Sequence, residues 1–295
     1  MADTMNEQRD GIVSADGEHV EPELLDSFDA SISEGAYRLS RSPSNLAATG
    51  LMAGFDVGFG VLALLYVTQQ TGSELLGGLA FTIGFFALYL GRSELFTENF
   101  LVPVTTVVTG GASVRQLLRL WIGTYITNLA GGFVVAVMLV TAYPALDETV
   151  LDTAAKIDAR GVSMEAFMLA VFAGAAITLM TWMVRNATSE AGALLAVGTF
   201  GFLLGATNMN HVVVISIKLF AGILVGTDAY GWFDWLAMSS LFVLGNLVGG
   251  LGLVTVARLV QIGRPEIRRR ASSRRRRALG TPLGHAPHRI AAEDH

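Results

Sequence analysis

Six long apolar stretches constrain the fold of this chain more than any other feature. A bilayer core is about 30 Å thick, and a helix needs about 20 apolar residues to cross it. Only 15% of the 295 residues are charged, against about a quarter in soluble domains. The sequence therefore predicts an all-α integral membrane protein with six transmembrane helices. The stretches lie near Leu46–Val67, Leu75–Thr109, Leu117–Tyr143, Met164–Val184, Ala191–Val225 and Trp235–Gln261.

The second and fifth stretches differ from the others. Each is about 35 residues long, which exceeds one span at about 1.5 Å per residue. Each also has polar residues in its middle, with GRSELFTEN at residues 91–99 and TNMNH at residues 207–211. Non-helical backbone at membrane depth is tolerated only inside protein or beside water. We therefore expect helices 2 and 5 to be broken inside the bundle.

The distribution of basic residues predicts the orientation. Arg115, Arg119 and Arg185 fall in loops on one side, together with the arginine-rich end of the chain. The loops on the other side hold only Lys156 and Arg160 as cations. Cytoplasmic loops carry an excess of Lys and Arg. The chain is thus predicted to be a multi-pass protein of the plasma or inner membrane, with both termini cytoplasmic.

The two ends of the chain carry opposite charge. Residues 1–37 contain ten acidic residues and one arginine, whereas residues 264–277 contain eight arginines. Segments of this kind are typically disordered. We expect an acidic, disordered tail over 1–37, a transporter domain over 38–262 and an arginine-rich cytoplasmic tail over 263–295. A short interfacial helix near Phe28–Leu39 is an alternative, and the arginines are expected to contact anionic lipid, not nucleic acid.

The two halves of the chain resemble each other. The string Asn-Leu-x-Gly-Gly occurs in the third span of each half at an offset of 118 residues, and the broken helix is second in each half. Three spans per half is an odd number, so the halves would cross the membrane in opposite directions as two inverted three-helix repeats. Binding sites in such folds lie at the breaks, and small residues allow close helix packing. The packing residues are Asn128, Gly131, Gly132, Asn246, Gly249 and Gly250.

The first break resembles the loop signature of the formate/nitrite transporter family, in which a Gly, an acid, Leu-Phe and a Thr interrupt the second helix. His211 resembles the pore histidine of that family. The resemblance implies an aquaporin-like subunit in a homopentamer, carrying small monovalent anions such as formate, nitrite or hydrosulfide. It also implies that Thr97 and His211 meet at the pore centre, with Phe85 and Leu204 as candidate apolar constrictions. The other residues assigned to the pore or its loop are Asn208, Asn210, Arg92, Glu94, Leu95, Phe96, Glu98 and Asn99.

The polar residues of the breaks admit more than one interpretation. Histidine changes charge near neutral pH, so His211 would attract an anion or pass a proton to a weak acid. The alternative is a buried histidine bonded to a neighbouring carbonyl. Thr97 is expected to cap the second half-helix, which is compatible with a pore role. Glu94 and Glu98 are interpreted as caps and ion-pair partners, with Arg92 as the cation.

Two further charges fall inside predicted spans. Asp56 lies in the first span, and Lys218 lies two turns after His211. Intramembrane charges usually face partners or water, so both are predicted to face the pore or the subunit interior, where they could pair. The alternatives are outward snorkelling for Lys218, and protonation or backbone capping for Asp56.

The sequence also departs from the family that it resembles. An acid usually precedes the histidine, where this chain has Asn210, and the usual asparagines are replaced by Ile215 and Thr178. The anion is therefore left open, and two alternatives remain: an aquaporin-type channel for neutral solutes, although paired Asn-Pro-Ala motifs are absent, and a non-conducting membrane protein of the same fold. An enzyme is not predicted, because the chain has no cysteine and no nucleotide loop, metal-ligand cluster or activated nucleophile. No cofactor or metal is expected.

Overall fold

A computed structural model describes residues 21–278, and in this range the chain forms twelve α-helices with two short 3₁₀ segments and one π-helical segment. The α-helices are α1 (Pro22–Ser40), α2 (Pro43–Thr71), α3 (Glu74–Leu90), α4 (Val102–Val108), α5 (Val114–Ala142), α6 (Asp147–Asp158), α7 (Met164–Asn186), α8 (Glu190–Ala206), α9 (Val212–Val225), α10 (Trp232–Leu247), α11 (Val256–Ile262) and α12 (Arg264–Ala278). The 3₁₀ segments are Phe96–Phe100 and Pro144–Leu146, and the π-helix is Val248–Thr255.

Among residues 21–278, four helices are long and apolar enough to cross a membrane. They are α2, α5, α7 and the continuous run from α10 through the π-helix to α11. The two long stretches with polar centres are interrupted in the structure. The second stretch becomes α3, a 3₁₀ segment and α4, and the fifth becomes α8 and α9. The chain is thus a multi-pass helical membrane protein.

Serine residues fix where five of the helices begin. In each case the serine hydroxyl accepts a hydrogen bond from the backbone N–H three residues further on, which satisfies one of the free donors of the first turn. This local signal is readable in the sequence and accounts for the starts of α2, α3, α5, α7 and α8. The serines are Ser42, Ser73, Ser113, Ser163 and Ser189.

Glycines bring the first and third helices of each half into backbone contact. A Cβ atom at Gly54 of α2 would collide with the carbonyl oxygen of Asn128 on α5. A Cβ atom at Gly174 of α7 would collide in the same way with the carbonyl oxygen of Asn246 on α10. Gly131 and Gly249, each three residues after the asparagine of its own third span, pack equally closely on α2 and α7. Only glycine permits this separation, so these residues set the spacing of the helix pairs.

The end of the acidic segment is helical, which differs from the predicted disorder over 1–37. Residues 1–20 lie outside the described residues, but α1 occupies the rest of the segment. Its apolar residues recur at helical spacing and are buried, and Thr106 of α4 donates a hydrogen bond to the carbonyl of Ile32 at 2.9 Å. High net charge concealed this amphipathic pattern, since the acids occupy the opposite face. The buried apolar residues are Leu25, Phe28, Ile32 and Leu39.

The arginine-rich segment also begins with a helix. In α12, Arg270 bonds both carboxylate oxygens of Asp29 on α1, at 2.5 and 2.7 Å. Phe28 and Ile32 of α1 form a small apolar cluster with Ile262 at the end of α11. The predicted disorder of residues 263–295 is therefore wrong for the start of the segment, because α1 offers both an apolar contact and a charge partner. Residues 279–295 lie outside the described range.

Candidate functional site

The first break is a 3₁₀ segment closed by its own side chains. After α3 ends, Arg92 adopts a left-handed conformation with φ of 54°. The Glu98 carboxylate accepts a hydrogen bond from the N–H of Leu95 at 2.9 Å, and the Asn99 amide donates to the carbonyl of Leu95 at 3.2 Å. The break is thus a defined structure. Leu95, Phe96, Thr97 and Asn99 are all buried.

Asn128 of α5 holds this break against the first helix. Its amide nitrogen donates to the carbonyls of Gly50 on α2, at 2.8 Å, and of Glu94, at 3.1 Å. Its amide oxygen accepts from the N–H of Phe96 at 2.8 Å. Backbone groups freed by a broken helix are costly when buried without partners. One side chain satisfies two of them here, the carbonyl of Glu94 and the N–H of Phe96, and its third bond ties the break to α2.

Asn246 does the same at the second break. Its amide nitrogen donates to the carbonyls of Ala170 on α7, at 2.8 Å, and of Asn210, at 3.0 Å. Its amide oxygen accepts from the N–H of Val212 at 3.1 Å. Asn208, with φ of 51°, is left-handed two residues after α8 ends, as Arg92 is after α3. The two breaks therefore have matching backbone and matching support.

The two breaks meet at Thr97 and His211. Thr97 Oγ1 lies 2.7 Å from His211 Nε2, and both residues have no exposed surface. His211 is the N-cap of α9, and its Nδ1 accepts a hydrogen bond from the N–H of Val214 at 3.4 Å. Thr97 was predicted to cap α4, and this is wrong. That helix begins after Leu101 with no side-chain cap. The histidine bonds a threonine hydroxyl and a backbone N–H, not a carbonyl.

The hydrogen bonds assign the tautomer of His211. Because Nδ1 accepts from a backbone N–H, the ring proton resides on Nε2, and Nε2 donates to the Thr97 hydroxyl. The Thr97 oxygen is then an acceptor, and its own O–H is left to donate elsewhere. In this arrangement the imidazole is neutral. A second proton, on Nδ1, would oppose the N–H of Val214, since both groups would then be donors. Protonation of His211 must therefore break its N-cap bond to α9.

A cavity reaches each of the two breaks. One, here called the α1 cavity, has a volume of about 460 Å³ and reaches the first break at Glu94 and Glu98. The other, here called the α6 cavity, has a volume of about 480 Å³ and reaches the second break at Asn208. Each break therefore borders its own cavity.

A group of charged residues joins α1 to the first break. Glu94 has 1% of its surface exposed, forms an ion pair with Arg38 at 2.5 Å and accepts a hydrogen bond from Arg41. Arg92, which was predicted to provide the cation, is exposed and left-handed, so the prediction of its pairing is wrong. Arg38 also bonds the Asn99 amide oxygen at 3.3 Å. Neither arginine was predicted to contact the break, because both lie more than 50 residues before it in the chain.

Glu34 completes the charged group on the α1 side. It accepts from Arg38 Nε at 2.9 Å and lies 3.7 Å from Arg185. Burial alone would raise the pKa of Glu34, but Arg38, Arg185 and Arg41 outweigh it and hold the pKa below the usual 4.5. Glu34 is therefore an ionised partner for the arginines beside the cavity.

Two residues outside the breaks also support the first break. Trp121 of α5 donates from its indole nitrogen to the carbonyl of Asn99 at 2.8 Å. Thr255, the last residue of the π-helix, donates to the carbonyl of Phe100 at 2.9 Å. The sequence gave no signal for these contacts, since they join segments far apart in the chain. They show that helices of both halves hold the first break.

Of the two predicted apolar constrictions, Phe85 lines a cavity and Leu204 is a core residue. Phe85 is fully buried, lines the α1 cavity and packs edge-on against Phe81, with ring centroids 5.5 Å apart. Leu204 is 2% exposed and belongs to the same apolar cluster. Both are therefore part of the tightly packed apolar core that surrounds the Thr97–His211 pair.

Asp56 and Lys218 do not pair with each other. Asp56 is half-buried beside Ser93 of the first break. Lys218 is 4% exposed and lines the α6 cavity, so it does not snorkel outward. Asn210 donates to the carbonyl of Ala166 at 2.9 Å and supports the second break. Within residues 21–278, no three His, Asp or Glu side chains come together as metal ligands would.

The sequence profile of the formate/nitrite transporter family matches residues 26–260 of this chain. The chain belongs to the formate/nitrite transporter family. The chain is 28% identical to the inner membrane protein YfdC of Escherichia coli (strain K12) over 255 residues, covering 83% of this chain and 81% of that protein. It is 25% identical to the formate channel FocA of Haemophilus influenzae, covering 77% of this chain and 89% of that one.

Solved structures of formate/nitrite transporters share this fold. An FNT family ion channel superposes with a TM-score of 0.73 at 21% identity, covering 80% of this chain and 98% of that one. A pentameric formate channel with formate bound superposes with a TM-score of 0.63 at 17% identity, covering 74% and 96%. The relatives described here by function are channels and transporters, not enzymes.

Proposed function

We propose that this protein carries small monovalent anions of the formate/nitrite class through a pore in each subunit, with Thr97 and His211 at its centre. The observation that carries the proposal is the buried 2.7 Å contact between Thr97 and His211, which joins two broken helices. A cavity borders each break. The family and its formate channels support the same class of solute. We further propose that the protein assembles as a homopentamer, as its structural neighbour does.

The pair offers a donor to an anion. The N–H of Val214 donates to Nδ1, Nε2–H donates to the Thr97 oxygen, and the Thr97 O–H is left for a solute. An anion that enters an apolar constriction needs donors to replace lost water. This series of hydrogen bonds orients the Thr97 O–H as a donor before the anion arrives. Phe85 and Leu204 exclude water on either side of the pair.

The architecture of the proposed pore consists of two inverted halves. Matching hydrogen bonds of Asn128 and Asn246, and left-handed residues at the same place in each break, support the repeat. The positive-inside rule places the α1 cavity and both termini on the cytoplasmic side. The α6 cavity then opens to the opposite face.

Proteoliposome flux measurements test the proposal. Formate, nitrite, hydrosulfide, lactate and glycerol are compared between pH 5 and 8 for the wild type, Thr97→Val, Thr97→Ser and His211→Asn. Valine keeps the shape of threonine without the hydroxyl, and asparagine keeps an acceptor for the helix cap. We expect Thr97→Val and His211→Asn to lower anion flux by at least about tenfold, the loss that corresponds to about 1.4 kcal/mol. Thr97→Ser is expected to keep most of it.

Thr124→Val is the matched control, because Thr124 is buried and its hydroxyl bonds a carbonyl of its own helix at 2.7 Å. Its flux should equal that of the wild type. Glycerol flux without anion flux would instead identify a channel for neutral solutes. The absence of any flux from a folded oligomer would point to a non-conducting protein.

A further inference from the structure

The α6 cavity contains a buried lysine with no partner. Lys218 of α9 is 4% exposed and lines the cavity. Among the described residues, its ammonium group makes neither an ion pair within 4.0 Å nor a hydrogen bond. A buried charge without a counter-charge is costly, and charges within a membrane usually face partners or a water-filled path. Lys218 therefore needs an explanation that the packing does not supply.

Lys218 lies on the same side of α9 as His211. Seven residues separate them, which is about 20° short of two full helical turns. At 1.5 Å per residue, the two Cα atoms are about 10 Å apart along the helix axis. A solute that leaves the Thr97–His211 pair along this face of α9 reaches Lys218 next.

The acidic residues nearest to Lys218 do not neutralise it. Glu74 accepts from Lys156 at 2.6 Å and from the Asn208 amide at 3.3 Å, so its carboxylate is already engaged. Arg160 also lines the cavity, and its Nε is buried without a hydrogen-bond acceptor. The lining has three cations and two acids in all, with Asp152 as the second acid. The cavity thus has excess positive charge and donors that lack acceptors.

We propose that Lys218, assisted by Arg160, forms an anion-binding site in the α6 cavity, which takes a small monovalent anion such as a carboxylate or nitrite. The inference rests on the proposed function, since the site serves the same pore. The neutral tautomer of His211 also supports a charged site nearby, because the Thr97–His211 pair offers an anion a hydrogen-bond donor but no full positive charge. Recognition of charge then falls to Lys218. Nearby acids keep the site weak enough for the anion to leave.

Two measurements on the full-length protein test this site. The first is calorimetric titration of the detergent-solubilised protein with sodium formate, and the second is the dependence of formate flux on formate concentration in proteoliposomes. We expect Lys218→Met to raise both the dissociation constant and the half-saturating concentration by about tenfold. Lys218→Arg should restore both to within about threefold. Arg115→Met, which removes one exposed cation at the start of α5, should leave both unchanged.

Arg160→Gln provides a second variant, outside the spanning helices, in case Lys218→Met does not fold. It should weaken formate binding in the same direction and by a smaller factor. If the wild type carries formate and neither Lys218→Met nor Arg160→Gln changes binding or half-saturation, this inference is overturned while the proposed function stands. If formate binds in a Lys218-dependent way without any flux, the site stands and the proposed function fails. If formate neither binds nor crosses, both fail.

Discussion

Asn128 and Asn246 hold the two broken helices with the same three hydrogen bonds. Each donates to a carbonyl of the first helix of its half and to a carbonyl at the break. Each also accepts from the N–H of the residue two positions after that break carbonyl. The partners are 116 to 120 residues apart. Each asparagine therefore provides the tie between a discontinuous helix and the continuous helix beside it.

Replacing either asparagine should destabilise the protein. Asn128→Ala or Asn246→Ala leaves two buried backbone groups of the break without their side-chain partner, and each such group costs about 1–3 kcal/mol. We expect a fall of at least about 5 °C in the melting temperature of the detergent-solubilised protein, measured by fluorescence-detected size exclusion. Asn186→Ala is the control, since Asn186 bonds only a carbonyl of its own helix. An equal shift in all three variants would contradict the proposed tie.

The glycine contacts make a second prediction. A Cβ atom at Gly54 or Gly174 would meet a backbone oxygen that cannot move aside, so Gly54→Ala and Gly174→Ala should force the helix pairs apart. We expect a loss of about 1–3 kcal/mol in each, seen as a lower melting temperature. Gly252→Ala is the matched control, because a Cβ atom there meets nothing within 4 Å. That variant should be neutral or slightly stabilising.

The ionised Glu34 makes the attachment of α1 sensitive to acid. Its pKa is lowered in the folded protein, so its contribution is present above pH 4.5 and is lost as the pH falls through the lowered pKa. We expect the melting temperature of the wild type to exceed that of Glu34→Gln above pH 5, by an amount that corresponds to about 1 kcal/mol or less for a partly exposed pair. The difference should shrink below pH 4.5. Glu23→Gln, at an exposed position on the same helix, should show no such change.

The contact between the terminal helices can be tested separately. Arg270 bonds Asp29 with two hydrogen bonds, and its guanidinium lies 5.5 Å from the centre of the Phe28 ring. Arg270→Ala should therefore speed amide hydrogen exchange in α12 and in the first half of α1, by about fivefold for a loss of about 1 kcal/mol. Arg268→Ala removes an exposed arginine of the same helix and should leave exchange unchanged. Equal protection in both variants would argue against docking through Arg270.

The sequence predicted the helical features well because they depend on local patterns. Apolar runs marked the long helices. Polar residues inside overlong runs marked both breaks, and the resemblance to a known family predicted that Thr97 and His211 would meet. These signals are encoded within a few residues of each feature.

Contacts between distant segments were not readable in the same way. Glu94 pairs with Arg38 and Arg41 across 53 residues or more of chain, whereas Arg92 was the nearest cation in the sequence. The Asn-Leu-x-Gly-Gly string was recognised as packing, yet the hydrogen bonds of its asparagine depend on where the breaks fall in space. The acidity of residues 1–37 also favoured disorder over the alternative of a helix near Phe28–Leu39, because composition averages over the buried face.

The docking of α12 on α1 has a practical consequence for purification and assay. Arg270 of α12 donates a hydrogen bond to Asp29 of α1. Arg38 of α1 forms an ion pair with Glu94, in the loop of the first break that precedes Thr97. An affinity tag or fluorescent fusion before α1 is thus close in sequence to a helix that contacts the loop, and one after α12 is close to a helix that contacts α1. Transport rates for this protein should accordingly be compared before and after tag cleavage.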